Sequence, residues 1–524
     1  MSLIRSTGTI GGLTLVSRIL GFVRDMLMAR FVGAGFAADA FLVAFRLPNL
    51  FRSLFAEGAF SAAFVPMFNQ ALARNGGDGG GREEARAFAE AVASVRGLFL
   101  IAFTGLMLAA AVPVVWAMTG GFSGGDPAKF DFTVDLTRIT FPYLMLISLA
   151  SLFGGILNSL GRFWVAAAAP ILLNLCLIVA LIFFRGADTL DTASAQAIAV
   201  SVSGVLQLAW VVWACRRAGM PIRLRRPRLT PSVKRLMWLI LPAALGAGAV
   251  QVNLLVSTLL AARFLPEGAI SYLYYADRLT QLPLGLIGIG VGTALLPLLS
   301  RQLASGEGQA ALHSQNRAIE LVLLLTLPAA AALVVVAGPI VDGLLRYGAF
   351  TARDSEATAA ALAAFSLGLP AFVLIKVLTP GFHARSDTRT PVRVAIVAMA
   401  VNLVANLILI WRFAHVGLAL STSLAAWINA AILYAILHRR GHFTVDARLR
   451  RVLPRAAGAS LLMAGLLWLA GPVLMRIPVH GFIERGAVLG LLVGGGAAVY
   501  FAAAFLLRAI DPGELRNQLL RRAG

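Results

Sequence analysis

Residues 97–118 read GLFLIAFTGLMLAAAVPVVWAM, a stretch without a single charged side chain. About 20 apolar residues in a helix cross the hydrocarbon core of a bilayer. This stretch is therefore long enough to span, and the chain repeats the pattern. Comparable runs centre near residues 20, 45, 105, 148, 173, 205, 250, 288, 328, 368, 400, 427, 464 and 495, fourteen in all. The stretch from Ala37 to Asn69 is expected to be one long helix broken at Pro48.

Composition agrees with the runs. The 524 residues are 59% hydrophobic and 13% charged, with a mean hydropathy of +0.83. Soluble chains carry about a quarter charged residues. A water-soluble domain this poor in charge would expose large apolar patches. The expected class is an all-α polytopic membrane protein. The net charge of +21 then reads as basic loops at one membrane face, not as a nucleic-acid interface. The two cysteines, Cys176 and Cys215, fit neither a metal-ligand spacing nor a disulfide framework. Arg18, Arg24 and Asp25 inside the first apolar stretch make it a poor signal peptide, so it reads as a retained first span.

Loop charges set an orientation. With fourteen spans, the loops on the side of both termini hold 29 Lys and Arg, and the opposite loops hold 10. The positive-inside rule then puts both termini in the cytoplasm. The richest loop is RRAGMPIRLRRPRLTPSVKR, residues 216–235. Six cations remain, all within expected spans: Arg18, Arg24, Arg46, Arg52, Arg278 and Lys376.

The chain also repeats itself. Ala29-Arg30-Phe31 recurs as Ala262-Arg263-Phe264, and Arg46-Leu47 recurs as Arg278-Leu279. Pro66 matches Pro297, Pro142 matches Pro370, and Asn174-Leu175 matches Asn402-Leu403, always in the same order. Two parallel six-helix repeats are expected around a central cationic cavity, followed by two extra helices. The corresponding divisions are residues 1–220, 221–445 and 446–524, the last with a lipid-tail groove and a cytoplasmic tail. Transporters built from repeats place their substrate between the halves.

A buried Arg costs at least about 2.5–3.5 kcal/mol at a helix centre. Two accounts compete for the six cations. One is snorkelling or pairing with a nearby acid: Asp25 lies seven residues after Arg18, and Arg46 seven after Asp39, so each pair shares a helix face. The other is an anion site. Arginine dominates the set, and its planar fork binds phosphate bidentately. No GxxxxGK[ST] loop, HExxH or CxxC is present, and the histidines show no metal-ligand pattern. Transport would have to run on an ion gradient, the membrane potential or the substrate gradient. The other readings are a drug/cation antiporter, which calls for cavity acids rather than arginines, and a membrane enzyme acting on a polyprenyl phosphate, which calls for an acid cluster or metal site.

Several long motifs carry a resemblance. GTIGGLTLVSRILGFVRDMLMARFVGAGFAADAFLVAFRLPNLFRSLFAEGAFSAAFVPMF from Gly8 resembles the MurJ (MviN) lipid II flippases of bacteria. So do ILNSLGRFWVAAAAPILLN from Ile156, YYADRLTQLPLG from Tyr274 and KVLTPGFHARSDTRTPV from Lys376. That family belongs to the multidrug/oligosaccharidyl-lipid/polysaccharide exporter superfamily. The resemblance implies translocation of lipid II, the undecaprenyl-diphosphate-linked peptidoglycan precursor, across the bacterial inner membrane by alternating access, with membrane lipids and cell-wall synthesis proteins as partners. It places substrate-binding roles on Arg18, Arg24, Asp25, Asp39, Arg52 and Arg278, with Glu57 and Lys376 as further cavity residues. Arg46 joins them on burial alone. No cofactor is implied; coupling to sodium or to the membrane potential stays open.

Overall fold

The computed structural model describes residues 3–55, 59–74, 80–474 and 481–510. Glu57 and the tail from 511 onward lie outside the described residues. Helices dominate, and no strand occurs among the described residues. In hydrocarbon every backbone N–H and C=O must be satisfied internally, which leaves the helix as the natural element for such runs.

The chain falls into two compact units: Met1–Ser271 with Tyr347–Phe350, and Tyr272–Arg346 with Thr351–Gly524. The first holds α1 (Leu3–Val32), α2 (Phe36–Phe55), α3 (Ala59–Ala73), α4 (Gly80–Ala109), α5 (Ala111–Thr119), α6 (Pro127–Thr140), α7 (Pro142–Ser159), α8 (Phe163–Phe183), α9 (Thr189–Arg217) and α10 (Pro231–Phe264). The second holds most of α11 (Ala269–Ala304), then α12 (Gly308–Val335), α13 (Ala337–Leu345), α14 (Ala352–Ser366), α15 (Leu369–His383), α16 (Arg389–Arg439), α17 (Ala447–Leu474) and α18 (Phe482–Leu506). Repeat counting starts a second half at residue 221, whereas packing keeps α10 against α2, α3, α4 and α5 of the first unit.

Local chemistry starts these helices. Asp126 caps α6 by accepting from the Ala128 and Lys129 amides, with Pro127 in the first turn. Thr351 and Asp354 form a capping box at α14. Pro48 does not break its helix: α2 runs through it to Phe55. Neighbouring helices in a membrane bundle can satisfy the backbone group that a proline frees.

Nine described helices are long and apolar enough to cross a membrane, or ten if the bent pair in α11 counts as one span. Fourteen were expected. Helices α1 and α2 fall outside the nine, and they carry four of the six intramembrane cations. The 51-residue α16 counts once but holds two arms. Ala414 has φ 49° and ψ −130°, and the Asn402 side-chain amide donates to Thr422 Oγ1 at 3.5 Å. In one straight helix twenty residues would set those groups about 30 Å apart, so the chain folds back at Ala414. Gly417 sits so close to the Leu409 carbonyl that a Cβ would clash.

The repeat recurs in the element pattern. Helices α5 and α13 have nine residues each, and each precedes a pair broken at one proline-rich joint, α6–α7 and α14–α15. The first unit's core stacks Phe60, Phe64, Phe68 and Phe88 beneath α7 and α9. The second unit's core joins α11, α12, α15, α16 and α17 around Val322, Val377 and Leu437. Trp411, at 74% exposure, fits a lipid-facing surface.

Candidate functional site

The α1 helix brings Arg24 and Asp25 side by side, and both are buried. Arg24 Nη2 and Nε reach Asp25 Oδ1 at 2.6 and 3.0 Å. Its Nη1 donates to Asn174 Oδ1 on α8 at 3.1 Å. Asn174 in turn donates to the Ser17 carbonyl at 2.9 Å, packed against Gly21. One guanidinium is thus shared by a carboxylate and an amide on two helices. Arg18 is exposed on the same helix, and α1 runs unbroken through Gly21. Asp25 therefore pairs with Arg24, not with Arg18 as the seven-residue spacing suggested.

Asp39, at the start of α2, is 2% exposed. It accepts from Lys129 Nζ at 3.0 Å, from the Gly268 amide at 2.8 Å, and from the Ser271 amide and hydroxyl at 3.0 and 2.7 Å. Four donors satisfy the carboxylate and offset its burial. The acid clamps α2 to α6 and to the segment leading into α11. Arg46 is not its partner; Arg46 donates instead to Thr258 on α10.

Arg52 closes α2. Its Nε donates to Asn49 Oδ1 at 3.2 Å. It lines a cavity of about 290 Å³ with Ser61, Ser151, Asn158 and Gln207. In the second unit, Arg278 lies 5.1 Å from the Tyr274 ring centre and reaches Gln281 Oε1 at 3.5 Å. Gln281 donates on to Asp277 at 2.5 Å. Lys376 is exposed on α15.

Sequence reasoning missed Lys129, which it counted as a loop cation; the residue is 5% exposed. It also missed two acids, Glu90 and Glu320, both buried and 230 residues apart. Glu90 accepts from Arg86 and from the Arg223 amide, and forms an ion pair with Arg225 at 2.7 Å. Glu320 binds Arg317 and takes Arg448 at 2.9 Å. Glu90 pins the connection that follows α9, and Glu320 holds the start of α17 through Arg448. Their regular spacing was a legible signal, but both lay in polar stretches outside the apolar runs.

The sequence model of the family "Lipid II flippase MurJ" matches residues 28–485. A probable lipid II flippase MurJ of Rhizobium tropici is 46% identical, over 100% of this chain and 97% of the relative. A probable lipid II flippase MurJ of Vibrio cholerae is 37% identical, over 96% of each. The lipid II flippase MurJ of Burkholderia cenocepacia is 37% identical over 90% of each. Among solved structures, an inward closed lipid II flippase MurJ superposes with a TM-score of 0.75 at 24% identity, covering 95% of this chain and 98% of that one. An inward-facing multidrug resistance MATE transporter of the MOP superfamily superposes at 0.64 and 16% identity, covering 82% and 97%. These two likenesses speak to the fold.

Proposed function

The chain belongs to the lipid II flippase MurJ family, and on that premise we propose how its residues move the substrate. The protein is a transporter that carries lipid II from the cytoplasmic to the periplasmic leaflet by alternating access. The substrate's diphosphate is bound on the first unit by Arg18, Arg24 and Arg52, and on the second by Arg278 and Lys376. The observation that carries this reading is Arg24, a buried guanidinium held between Asp25 and Asn174. A phosphate oxygen can replace either acceptor without leaving the arginine unpaired, because guanidinium and phosphate match as a fork. Asp25 takes the arginine back when the substrate leaves.

Asp39 acts as a latch. Its four donors fix α6 and the 268–271 segment, and their release accompanies opening on that side of the first unit. The lipid tail runs along an apolar cavity of about 340 Å³ lined by Pro283, Leu333, Met463, Leu467 and Leu492. That lining is what an isoprenoid chain requires. Both termini lie in the cytoplasm, supported by the 29 against 10 loop cations. The membrane is the bacterial inner membrane, and an ion gradient or the membrane potential drives the cycle.

The test is flipping of labelled lipid II in proteoliposomes, with the potential imposed or collapsed. Wild type transports, and an Arg52→Ala, Arg278→Ala double variant falls at least about ten-fold, the equivalent of 1.4 kcal/mol. A double variant that still flips at the wild-type rate overturns the arginine assignment. A drug/cation antiporter would instead move cationic dyes and ignore lipid II.

A further inference from the structure

We infer that the cavity beside Arg52 is a second part of the substrate site, one that takes the uncharged, hydroxyl- and amide-bearing group attached to the phosphate. This rests on the flippase reading and adds a specificity determinant to it. The argument begins with what lines the space. Among the described residues Arg52 is its only charged wall, and the polar lining is otherwise Ser61, Ser151, Asn158 and Gln207. These are neutral groups that both donate and accept. A carboxylate or ammonium ligand would call for a formal countercharge at that end. A saccharide, with hydroxyls and acetamido groups, calls for the mixed set seen here.

Geometry agrees. Gln207 is 1% exposed, and its Nε2 is committed to the Ser203 carbonyl at 3.2 Å. Oε1 and the second N–H of that amide are then what it has to offer, an acceptor and a donor for a ligand hydroxyl. Asn49 holds the Arg52 guanidinium from the α2 side. The remaining walls are small, with Gly154, Gly155, Ala166 and Ala169 among them. The cavity's size, about 290 Å³, is at the lower end of small-ligand sites. It therefore suits one compact polar group rather than a whole glycopeptide.

Its place in the first unit also fits. Arg52 is near the end of α2, Ser61 near the start of α3, Asn158 at the end of α7, and Ala166 near the start of α8. With cytoplasmic termini, these helix ends lie on the loading side. The anion meets Arg52 and the group beyond it enters the cavity. Buried polar groups left without their hydrogen-bond partners penalise a ligand that lacks them, which is how such a pocket selects.

The test compares two probes on the full-length protein in nanodiscs: lipid II, and undecaprenyl diphosphate, which shares the tail and the anion but has no sugar. Asn158→Ala and Gln207→Ala should each weaken lipid II binding about five- to ten-fold, the scale of one hydrogen bond. Both should leave undecaprenyl diphosphate within about two-fold. Arg52→Ala should weaken both probes. Asn158→Asp, which keeps the side chain's shape, covers the case in which an alanine variant fails to fold. Equal loss for both probes, or loss for neither, overturns the subsite. Wild type that binds neither probe and flips no lipid II overturns the flippase reading instead.

Discussion

Lys129 Nζ sits 3.0 Å from Asp39 Oδ2, and both side chains are buried. The corresponding join in the second unit is Tyr272 donating to Asp354 at 2.9 Å. Each links the first part of a repeat to its proline-started or boxed helix, but only the first unit uses a charge pair. Removing one partner of a buried pair strands the other charge and costs roughly 3–5 kcal/mol. Asp39→Ala should therefore lower the thermal unfolding midpoint sharply. Adding Lys129→Met should recover the part of the loss that comes from the stranded ammonium, while the Gly268 and Ser271 donors stay unpaired, and a double-mutant cycle measures the coupling. Additive effects would show that the two residues stabilise independently.

Glu90 and Glu320 make a second matched pair. Glu90 holds Arg225 and the Arg223 amide, while Ser94 accepts from the Arg225 amide at 2.9 Å. These contacts tether a basic segment with no helix or strand of its own. Glu90→Ala should free it. Trypsin should then cut within residues 223–228 of the folded protein at least about five-fold faster than in wild type, read by mass spectrometry. An unchanged cleavage rate would mean that the tether lies elsewhere.

Arg24 serves two acceptors on different helices. Lysine carries a single ammonium and lacks the planar fork. Arg24→Lys should fold and insert but flip lipid II at least about ten-fold more slowly. Asn174→Ala removes one hydrogen bond to a charged group, worth about 1.5–3 kcal/mol. It should lower stability by that order, measured by thermal melting in detergent. Full flipping by Arg24→Lys would reduce the guanidinium to a point charge.

His442, in the connection between α16 and α17, carries a pH signature. Burial, then the Arg385 and Arg440 cations, lowers its pKa from the ordinary 6.5, and Asp387 opposes them. The unfolded chain takes up this proton at higher pH than the folded one. The contribution is thus complete above about pH 6.5 and is lost as pH falls toward the folded value. His442→Gln should flatten the fall in melting temperature between about pH 7 and pH 5. Asp387, held below the usual carboxylate range by Thr390 and Arg440, adds nothing in that interval. A wild type whose melting temperature is already flat there would refute this account.

Much of this was visible in the order of residues. The apolar runs announced a helical membrane protein, and the matched prolines and asparagines announced the repeat. Asn174 and Asn402 show how far such matching reaches. Both face another helix within their unit, but Asn174 holds Arg24 and Ser17, whereas Asn402 accepts from Asn406 and donates to Thr422. The position repeats and the partner does not. Pro48 shows the opposite failure. A proline signals a possible break, yet α2 continues through it because the surrounding bundle decides whether the freed carbonyl is satisfied.

The sequence by itself determined the solvent, the element type and the charges that had to be accounted for. Hydrophobicity and length add along a chain, so no neighbour in space is needed to read them. It also determined the family, through motifs continuous in order. Only the tertiary structure decided which charges meet. Asp25 turns to Arg24 beside it, while Asp39 finds Lys129 ninety positions away and four donors in all. The energy of a buried charge depends on distance, burial and the count of donors around it. Those quantities exist only once the helices have packed.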